Sequence, residues 1–307
     1  MATIETSSAP VKAARLGARV QDFPAGGARA ISLRAVAGHP RALVGAIMTA
    51  LVVGMAVVAS FWTPYDPIAF DSGPSFDSPS WQHLMGTDLY GRDIFSRVMA
   101  GSQVSLLIAA SAVTGAVVIG TVVGIAAGYL GGFIDIILTR MVDIMLAIPG
   151  LVLALGIVVL LTHSAQSVAV ALMAVYSWQI ARVVRSSVVA VRDRPYVEAS
   201  KALDAKPMSI VRKDVFPSVF PILILQLTTA FAWGILDEAS LGFLGLGVQP
   251  PNPSWGSMLI EGREFLYQAP WLPVSAGAMV MVAVLGVNLL GDGLRDIVDP
   301  RAGRKTS

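Results

Sequence analysis

The residues best placed to do chemistry in this chain form a charged segment, 198–217, between two strongly apolar stretches. Its sequence is EASKALDAKPMSIVRKDVFP. The charged side chains are Glu198, Lys201, Asp204, Lys206, Arg212, Lys213 and Asp214. Such groups can pair with charges on a soluble protein or with the phosphates of anionic lipids. We therefore expect this segment to bind a partner, with docking to a protein as one alternative and an amphipathic hairpin on lipid headgroups as the other.

Other kinds of chemistry find little support in the sequence. The chain has no cysteine, which excludes disulfides, thiolate metal sites and cysteine nucleophiles. His39, His83 and His163 are too far apart in the sequence to indicate a metal site. The phosphate-binding pattern GxxxxGK[ST] is absent, so the chain is not expected to bind ATP itself. We expect no catalytic residue, no metal, no bound cofactor and no nucleic-acid partner.

The composition is that of an integral membrane protein. Of 307 residues, 55% are hydrophobic and only 14% are charged, and the mean hydropathy is +0.69. Soluble domains carry about 25% charged residues. The apolar runs are continuous and do not alternate, so we predict an all-α protein embedded in the lipid bilayer.

Six apolar segments are long enough to cross the roughly 30 Å of bilayer hydrocarbon. They are predicted at 43–62, within 104–128, and at 141–161, 167–184, 216–237 and 271–291. Gly120, Gly124 and Gly128 repeat at four-residue spacing, which indicates a close helix contact, with a role in gating as the alternative. Pro149, followed by Gly150, predicts a kink in the third span.

The positions of lysine and arginine predict the orientation. Six crossings place both termini on one side, and that side holds 19 of the 22 basic residues. Positive charge accumulates on the cytoplasmic side, so both termini are expected there. The predicted cytoplasmic segments are the N-terminal tail 1–42, 129–140, 181–217, which includes the loop at 185–217, and the C-terminal tail 292–307. Residues 1–42 are expected to be partly disordered, and 63–103 and 238–270 are the predicted extracytoplasmic loops.

Several polar residues lie inside the predicted spans and are open to two interpretations. They are Ser177, Gln179, Gln226, Thr228, Thr229 and Asn288. Such residues either form hydrogen bonds between helices or line a translocation path. Asp143, Arg182, Asp237 and Asp292 are expected near span ends, within reach of water. Without a charged group at mid-membrane, a proton-coupled carrier is disfavoured.

The loops carry weaker structural signals. Thr87 or Asp88 is predicted to start an interfacial helix leading into the second span. The loop 238–270 is rich in Gly and Pro and is expected to be ordered but irregular. In the charged segment, Pro195 predicts the start of one short helix and Pro207 a second, which Pro217 should close. Together the two helices would form a platform on the membrane surface.

The charged segment resembles the EAA loop of bacterial ABC importer permeases, in which a Glu-Ala-Ala triplet is followed by a glycine and later by a proline. Glu198, Ala199 and Ser200 match the triplet, and Pro217 matches the proline. Asp204 stands where the family usually has glycine, and aspartate tolerates the left-handed backbone region better than most residues.

Three further segments resemble the C-type permease subunit of dipeptide, oligopeptide and nickel importers. They are HLMGTDLYGRDIFSRVMAGSQVSL at 83–106, EASLGFLGLGVQPPNPSWGSM at 238–258 and NLLGDGLRDIVDPR at 288–301. The resemblance implies a type I ABC importer permease fold in a multi-pass protein of the bacterial inner membrane. The transmembrane domain would be 104–291, with five helices besides the first, and with coupling helices in the cytoplasmic loop.

The resemblance also implies partners and roles. A homologous second permease, two cytoplasmic ATPase subunits that hold ATP and Mg²⁺, and an extracytoplasmic substrate-binding protein are expected. The residues implied to couple the chain to the ATPases are Glu198, Ala199, Ser200, Leu203, Asp204, Arg212 and Lys213. The expected function is ATP-driven import of di- or oligopeptides. Import of a nickel chelate, glutathione or another small solute is the alternative, and an ATP-independent secondary transporter or a membrane-embedded enzyme is less favoured.

Overall fold

The computed structural model describes residues 36–298, and the predictions for 1–35 and 299–307 fall outside this range. The principal elements are helices: α1 Pro40–Ala59, α2 Ile94–Ile125, α3 Gly132–Ala147, α4 Gly150–Leu160, α5 Ala165–Arg192, α6 Pro195–Ala202, α7 Pro207–Ile210, α8 Phe216–Phe243, α9 Trp255–Glu264 and α10 Trp271–Val298. Five-residue π-helical turns follow α2, at Ala126–Leu130, and α7, at Val211–Val215. Residues 36–298 contain one isolated β-bridge, between Thr87 and Asp93, and no longer strand.

Five of these segments are long and apolar enough to cross a membrane. They are Pro40–Ala59, Ile94–Leu130, Ala165–Arg192, Pro207–Phe243 and Trp271–Ile297. Helices α3 and α4 pass the same criteria together, but they meet at a bend of 90°. Counted as one broken span, this pair completes the six predicted crossings of an all-α membrane protein.

The break between α3 and α4 is larger than the predicted kink. Ile148 and Pro149 both leave the helical region, with ψ angles of 128° and 130°. Proline lacks the N–H that a continuing helix would use and disfavours helical backbone in the residue before it. The predicted single span 141–161 is therefore wrong in its path, because one helix ends at Ala147 and a new one begins at Gly150.

Two predictions about the outer loops are wrong. The second long helix begins at Ile94 and is capped by Asp93, whose Oδ2 accepts a hydrogen bond from the Ser96 N–H at 2.7 Å. Thr87 and Asp88 lie in the preceding turn and do not start it. The loop 238–270 contains α9, which Ser254 and Ser257 start by bonding to each other's backbone N–H groups.

Helix α8 begins where its span was predicted to begin and extends beyond the predicted end, residue 237. It reaches Phe243, so Glu238 lies inside the helix and not in a loop. At the other end the π turn Val211–Val215 joins α7 directly to α8. Pro217 does not close the second short helix as predicted, because it occupies the first turn of α8, where a missing N–H costs little.

The core is centred on α2 and α5, which run in the same direction. A Cβ added at Gly120 would lie 2.7 Å from the Ser177 carbonyl oxygen, and one at Gly124 would lie 2.6 Å from Val184 Cβ. A Cβ at Gly128 would lie 2.8 Å from Val188 Cβ. The three glycines thus allow the two backbones to approach, which is the packing role predicted for them.

The two ends of the bundle carry different structures. One end, the platform face, carries α6 and α7 between α5 and α8. The opposite end, the cap face, carries residues 63–93 and α9. Gly101 near the start of α2 abuts Ser254 and Trp255 beside α9, which joins that cap to the bundle.

Candidate functional site

The platform of α6 and α7 is firmly attached to the helices on either side of it. Val197, Ile210 and Val215 are buried and belong to the same apolar cluster as the cores of α2 and α5. The Lys201 ammonium donates to the Arg192 carbonyl at 3.2 Å, at the end of α5. The Tyr196 hydroxyl lies 3.1 Å from Ser218 Oγ, at the start of α8. A force applied to the platform would therefore be transmitted to both spans.

The turn after α6 places Asp204 in the left-handed region, at φ +57°. The Ala205 N–H donates to the Ser200 carbonyl at 3.2 Å, and the Asp204 N–H donates to the Lys201 carbonyl at 3.0 Å. These two bonds make a Schellman ending, in which a glycine usually occupies the position that Asp204 fills. The helix therefore ends as a glycine would end it, although the residue is aspartate.

The outward surface of the platform is exposed. Glu198 and Ala199 are exposed, and the apolar side chains of Leu203 and Met208 are 83% and 75% exposed. The Glu198 backbone N–H donates to the Arg194 carbonyl at 3.0 Å, as expected within a helix, while its carboxylate lies on the exposed surface. Ser200 is half-buried, and Arg212 and Lys213 are exposed on the π turn at Val211–Val215. The predicted coupling residues therefore lie in two places. One group is on α6 and the turn that ends it, and the other is on the π turn before α8.

Ion pairs fix α3 to α5 near the platform face. The Arg185 guanidinium contacts both Asp135 carboxylate oxygens, with Nη2 to Oδ2 at 2.8 Å. Arg182 Nη2 lies 2.8 Å from Asp143 Oδ1, and both of these side chains are about half exposed. Asp143 and Arg182, predicted at span ends, therefore contact each other.

The six polar residues predicted inside spans do not converge on one place. Ser177 is buried against α2 and donates to the Met173 carbonyl at 2.6 Å. Thr228 faces α10, where a Cβ on Gly291 would lie 2.8 Å from its Oγ1. Gln179, Thr229 and Asn288 are exposed, and Gln226 is half-buried. Ser177 and Thr228 thus pack between helices, while the other four remain available to a path or a partner.

Glu238 is a functional candidate that the sequence analysis missed. Its side chain is 0% exposed, and within residues 36–298 no group reaches its carboxylate oxygens with ordinary hydrogen-bond geometry. The hydroxyls of Ser105 on α2 and of Ser254 before α9 are the polar groups that interact with the Glu238 carboxylate. Glu238 therefore joins α8 to α2 and to the cap face. The adjacent Asp237 and Glu238 within an apolar run could have indicated a buried polar site. The span was predicted to end at residue 237, however, so Glu238 was assigned to the following loop.

The cap face is held by a second set of buried charges. Arg92 Nε contacts Asp88 Oδ2 at 2.6 Å, and Arg92 Nη2 contacts Glu261 Oε2 at 3.1 Å. Arg97 is 0% exposed and binds both Glu261 oxygens, at 2.9 and 3.1 Å. These pairs attach α9 to the start of α2. Within residues 36–298, no group of three or more His, Cys, Asp or Glu side chains could hold a metal ion.

Comparison with known proteins matches most of the chain to one family. The family model described as "Binding-protein-dependent transport system inner membrane component" matches residues 120–304. A dipeptide transport system permease protein, DppC, of Alkalihalophilus pseudofirmus is 40% identical over 260 residues, covering 85% of this chain and 86% of that protein. The di/tripeptide transport system permease protein DppC of Pseudomonas aeruginosa is 38% identical, covering 85% and 88%.

Two more distant similarities were found. The glutathione transport system permease protein GsiD of Pectobacterium atrosepticum is 34% identical over 261 residues, covering 85% of this chain and 87% of that protein. An inward-facing structure of the MetNI methionine ABC transporter superposes with a TM-score of 0.56 at 20% identity. It covers 66% of this chain and 97% of the solved chain, and it supports the predicted permease fold.

Proposed function

Because the chain belongs to the family of inner membrane components of binding-protein-dependent transport systems, we propose that it imports di- or oligopeptides as one permease subunit of an ABC importer. The chain is a transport subunit and not an ATPase. The peptide substrate is favoured by the relatives at 37–40% identity, which are named as dipeptide or peptide transport permeases. Glutathione, a modified tripeptide, is the second candidate substrate, because one relative is named as a glutathione transport permease.

The proposed assembly contains a second permease, two ATPase subunits and an extracytoplasmic substrate-binding protein. We place the platform face and both termini in the cytoplasm, since that orientation puts most basic residues inside. The cap face then meets the substrate-binding protein. ATP and Mg²⁺ are held by the ATPase subunits, and this chain contributes the path and the coupling surface.

The proposed mechanism is mechanical coupling through the platform. ATP closes the two ATPase subunits on each other, and α6 moves with the ATPase that it contacts. Since Lys201 contacts the end of α5 and Tyr196 contacts the start of α8, both spans follow. The path then switches between inward-open and outward-open states. The energy is the difference in ATPase binding between those two states, as any shift in population requires.

The observation that carries this proposal is the exposed patch of Glu198, Ala199 and Leu203 on a helix anchored by buried Val197. Small and apolar side chains around one carboxylate suit a groove on a protein better than a layer of lipid phosphates. Glu198 is proposed to set the contact with the ATPase, and Ala199 and Ser200 to allow close approach. Arg212 and Lys213 are proposed to pair with acidic groups of the ATPase.

The test is uptake of a labelled dipeptide by cells in which this chain, with its partner subunits, is the only peptide importer. Glu198→Lys should abolish most uptake and reduce copurification of the ATPase while the chain remains in the membrane. Glu264→Lys makes the same charge reversal at an exposed position of the cap face and should leave the ATPase bound. Wild-type uptake by Glu198→Lys would refute the coupling role. Failure of the wild-type chain to take up dipeptides or glutathione would refute the substrate.

A further inference from the structure

One face of α8 carries a continuous stripe of polar and aromatic side chains. The members are separated by three or four positions, which places them along one side of a helix over about 21 Å. They are Gln226, Thr229, Trp233, Asp237 and Ser240. None of them is buried, and the Trp233 side chain is 56% exposed. From sequence, Gln226 and Thr229 were predicted inside the span and Asp237 near its end, without a common face.

The opposite side of α8 is buried in the bundle. Ile235, Glu238 and Leu241 are all 0% exposed, and Thr228 abuts Gly291 of α10. The stripe therefore lies on the less buried side of α8, with Trp233 and Thr229 exposed and Asp237 in contact with Tyr176 of α5. Lipid is a poor environment for it, because an amide, two hydroxyls and a carboxylate would lose their hydrogen bonds to water there. A water-filled path is the environment that satisfies these groups.

Asp237 supplies the negative charge of this stripe, and Tyr176 of α5 holds it in place. The Tyr176 hydroxyl donates to Asp237 Oδ2 at 2.5 Å, and the tyrosine itself is 3% exposed. The bond uses one carboxylate oxygen and fixes the side chain toward the stripe. Within residues 36–298, no lysine, arginine or histidine forms an ion pair with Asp237.

We propose that Asp237, positioned by Tyr176 and flanked by Trp233, is a subsite of the translocation path that binds the ammonium group of the solute. The inference rests on the proposed transport function. A positioned carboxylate with no cation from its own chain attracts a cation, and charge-assisted hydrogen bonds are the strong ones. The Trp233 ring stands one turn away, and an indole face also attracts ammonium groups. A peptide's free amino terminus, or a lysine side chain, is such a group.

The lack of cysteine in this chain allows a test that needs no peptide. Single cysteines at Thr229, Thr228 and Ser240 are introduced into the chain within the complete transporter in native membranes, and labelling of this chain alone is measured. Thr229→Cys should react with water-soluble thiosulfonates at least about tenfold faster than its neighbour Thr228→Cys, the matched control, whose half-buried side chain packs against Gly291 of α10. Equal rates at the two positions would overturn the assignment of the stripe to a water-filled path.

The charge preference is measured at Ser240→Cys, one turn from Asp237. Cationic aminoethyl methanethiosulfonate should react faster than anionic sulfonatoethyl methanethiosulfonate. Adding Asp237→Asn should lower this rate ratio by about tenfold, since a unit charge one helical turn away acts appreciably at the effective dielectric constant of about 20 that applies near a protein surface. Adding Glu238→Gln, next to Asp237 on the buried side, should leave the ratio unchanged. A ratio that is insensitive to Asp237→Asn would overturn the subsite.

An uptake measurement distinguishes failure of this subsite from failure of the proposed function. With binding protein and peptide at saturating concentrations, Asp237→Asn should lower dipeptide uptake about tenfold, as expected for a lost charged contact, and Asp237→Glu should restore part of it. If the wild-type transporter moves no peptide but the labelling ratio depends on Asp237, the proposed substrate fails and the cation subsite stands. If uptake is normal in both variants, the subsite fails and the proposed function stands.

Discussion

Arg97 and Glu261 contact each other twice, at 2.9 and 3.1 Å, although 164 positions separate them in the sequence. Arg97 lies in the first turn of α2 and is fully buried, while Glu261 is on α9 and partly exposed. Arg97 Nε also lies 3.7 Å from Asp88 Oδ2. This arrangement fixes the outer helix α9 to a membrane span, so the cap face is expected to move together with α2.

Replacing Arg97 should therefore destabilise the cap. Arg97→Met should lower the free energy of unfolding by about 3 kcal/mol, because breaking a buried pair leaves Asp88 and Glu261 without part of their compensating charge. The apparent melting temperature of the purified transporter in detergent measures this. Arg263→Met, at an exposed position of α9 beside the Phe243 ring, is the control and should change stability by less than about 1 kcal/mol. Equal shifts for the two variants would contradict the role given to the buried pair.

Glu238 should tolerate a neutral replacement of the same shape. Ser105 Oγ accepts the Trp255 N–H and Ser254 Oγ accepts the Ser257 N–H, so each hydroxyl retains a proton to donate toward Glu238. A glutamine oxygen can accept these donors without burying a charge. Glu238→Gln should therefore alter stability by no more than about 1 kcal/mol. Glu238→Lys should cost more than about 3 kcal/mol, because it buries a cation beside two hydroxyls.

The two variants, Glu238→Gln and Glu238→Lys, are compared by the yield of folded transporter and by its melting temperature. If Glu238→Lys folds as well as Glu238→Gln, the side chain is not enclosed as described. Ser240→Lys, on the exposed stripe of the same helix, controls for the general effect of a new lysine in this segment.

The close approach of α2 and α5 should make Gly124 intolerant of any side chain. The added methyl group of Gly124→Ala would lie 2.6 Å from Val184 Cβ and 2.7 Å from the Ala181 carbonyl oxygen. Separating the helices should cost about 1–3 kcal/mol. Gly156→Ala is the matched control, because a Cβ there meets no atom within 4 Å. Comparable melting temperatures for the two variants would contradict the packing.

The sequence predicted features that depend on local chemistry. The glycine contact follows from four-residue spacing, and the short helix at Pro195–Ala202 follows from a proline in its first turn. The left-handed backbone at Asp204 was indicated by the family resemblance, in which a glycine usually occupies this position. The glycine contact and the short helix are decided by a few neighbouring residues, so the sequence alone was sufficient for them.

Features that depend on distant contacts were missed. Hydropathy and Pro149 indicated a kinked span, but neither indicated how large the bend is, and α3 and α4 meet at 90°. Asp237 is half-buried and Glu238 is fully buried although they are adjacent, because the first contacts Tyr176 at the less buried side of α8 and the second faces α2. A linear sequence gives both residues the same position near a span end. The stripe on α8 became visible only when the helix was known to continue to Phe243.

Asp204 offers a test of the platform that separates backbone strain from coupling. A residue other than glycine in the left-handed region costs about 1 kcal/mol, so Asp204→Gly should stabilise the turn slightly or leave it unchanged. Asp204→Val should destabilise it by about 1–2 kcal/mol, because branching at Cβ makes a positive φ still less favourable. Both substitutions remove the same carboxylate, so any role of its charge affects them equally.

The comparison is made on dipeptide uptake at equal amounts of chain in the membrane. If the Schellman turn orients Glu198 and Leu203 toward the ATPase, uptake should be retained by Asp204→Gly and reduced several-fold by Asp204→Val. A loss of uptake in both variants would instead assign the contact to the Asp204 carboxylate itself. Full uptake in both would show that the turn can be rebuilt without loss of coupling, and would refute the requirement for a fixed left-handed residue between the two platform helices.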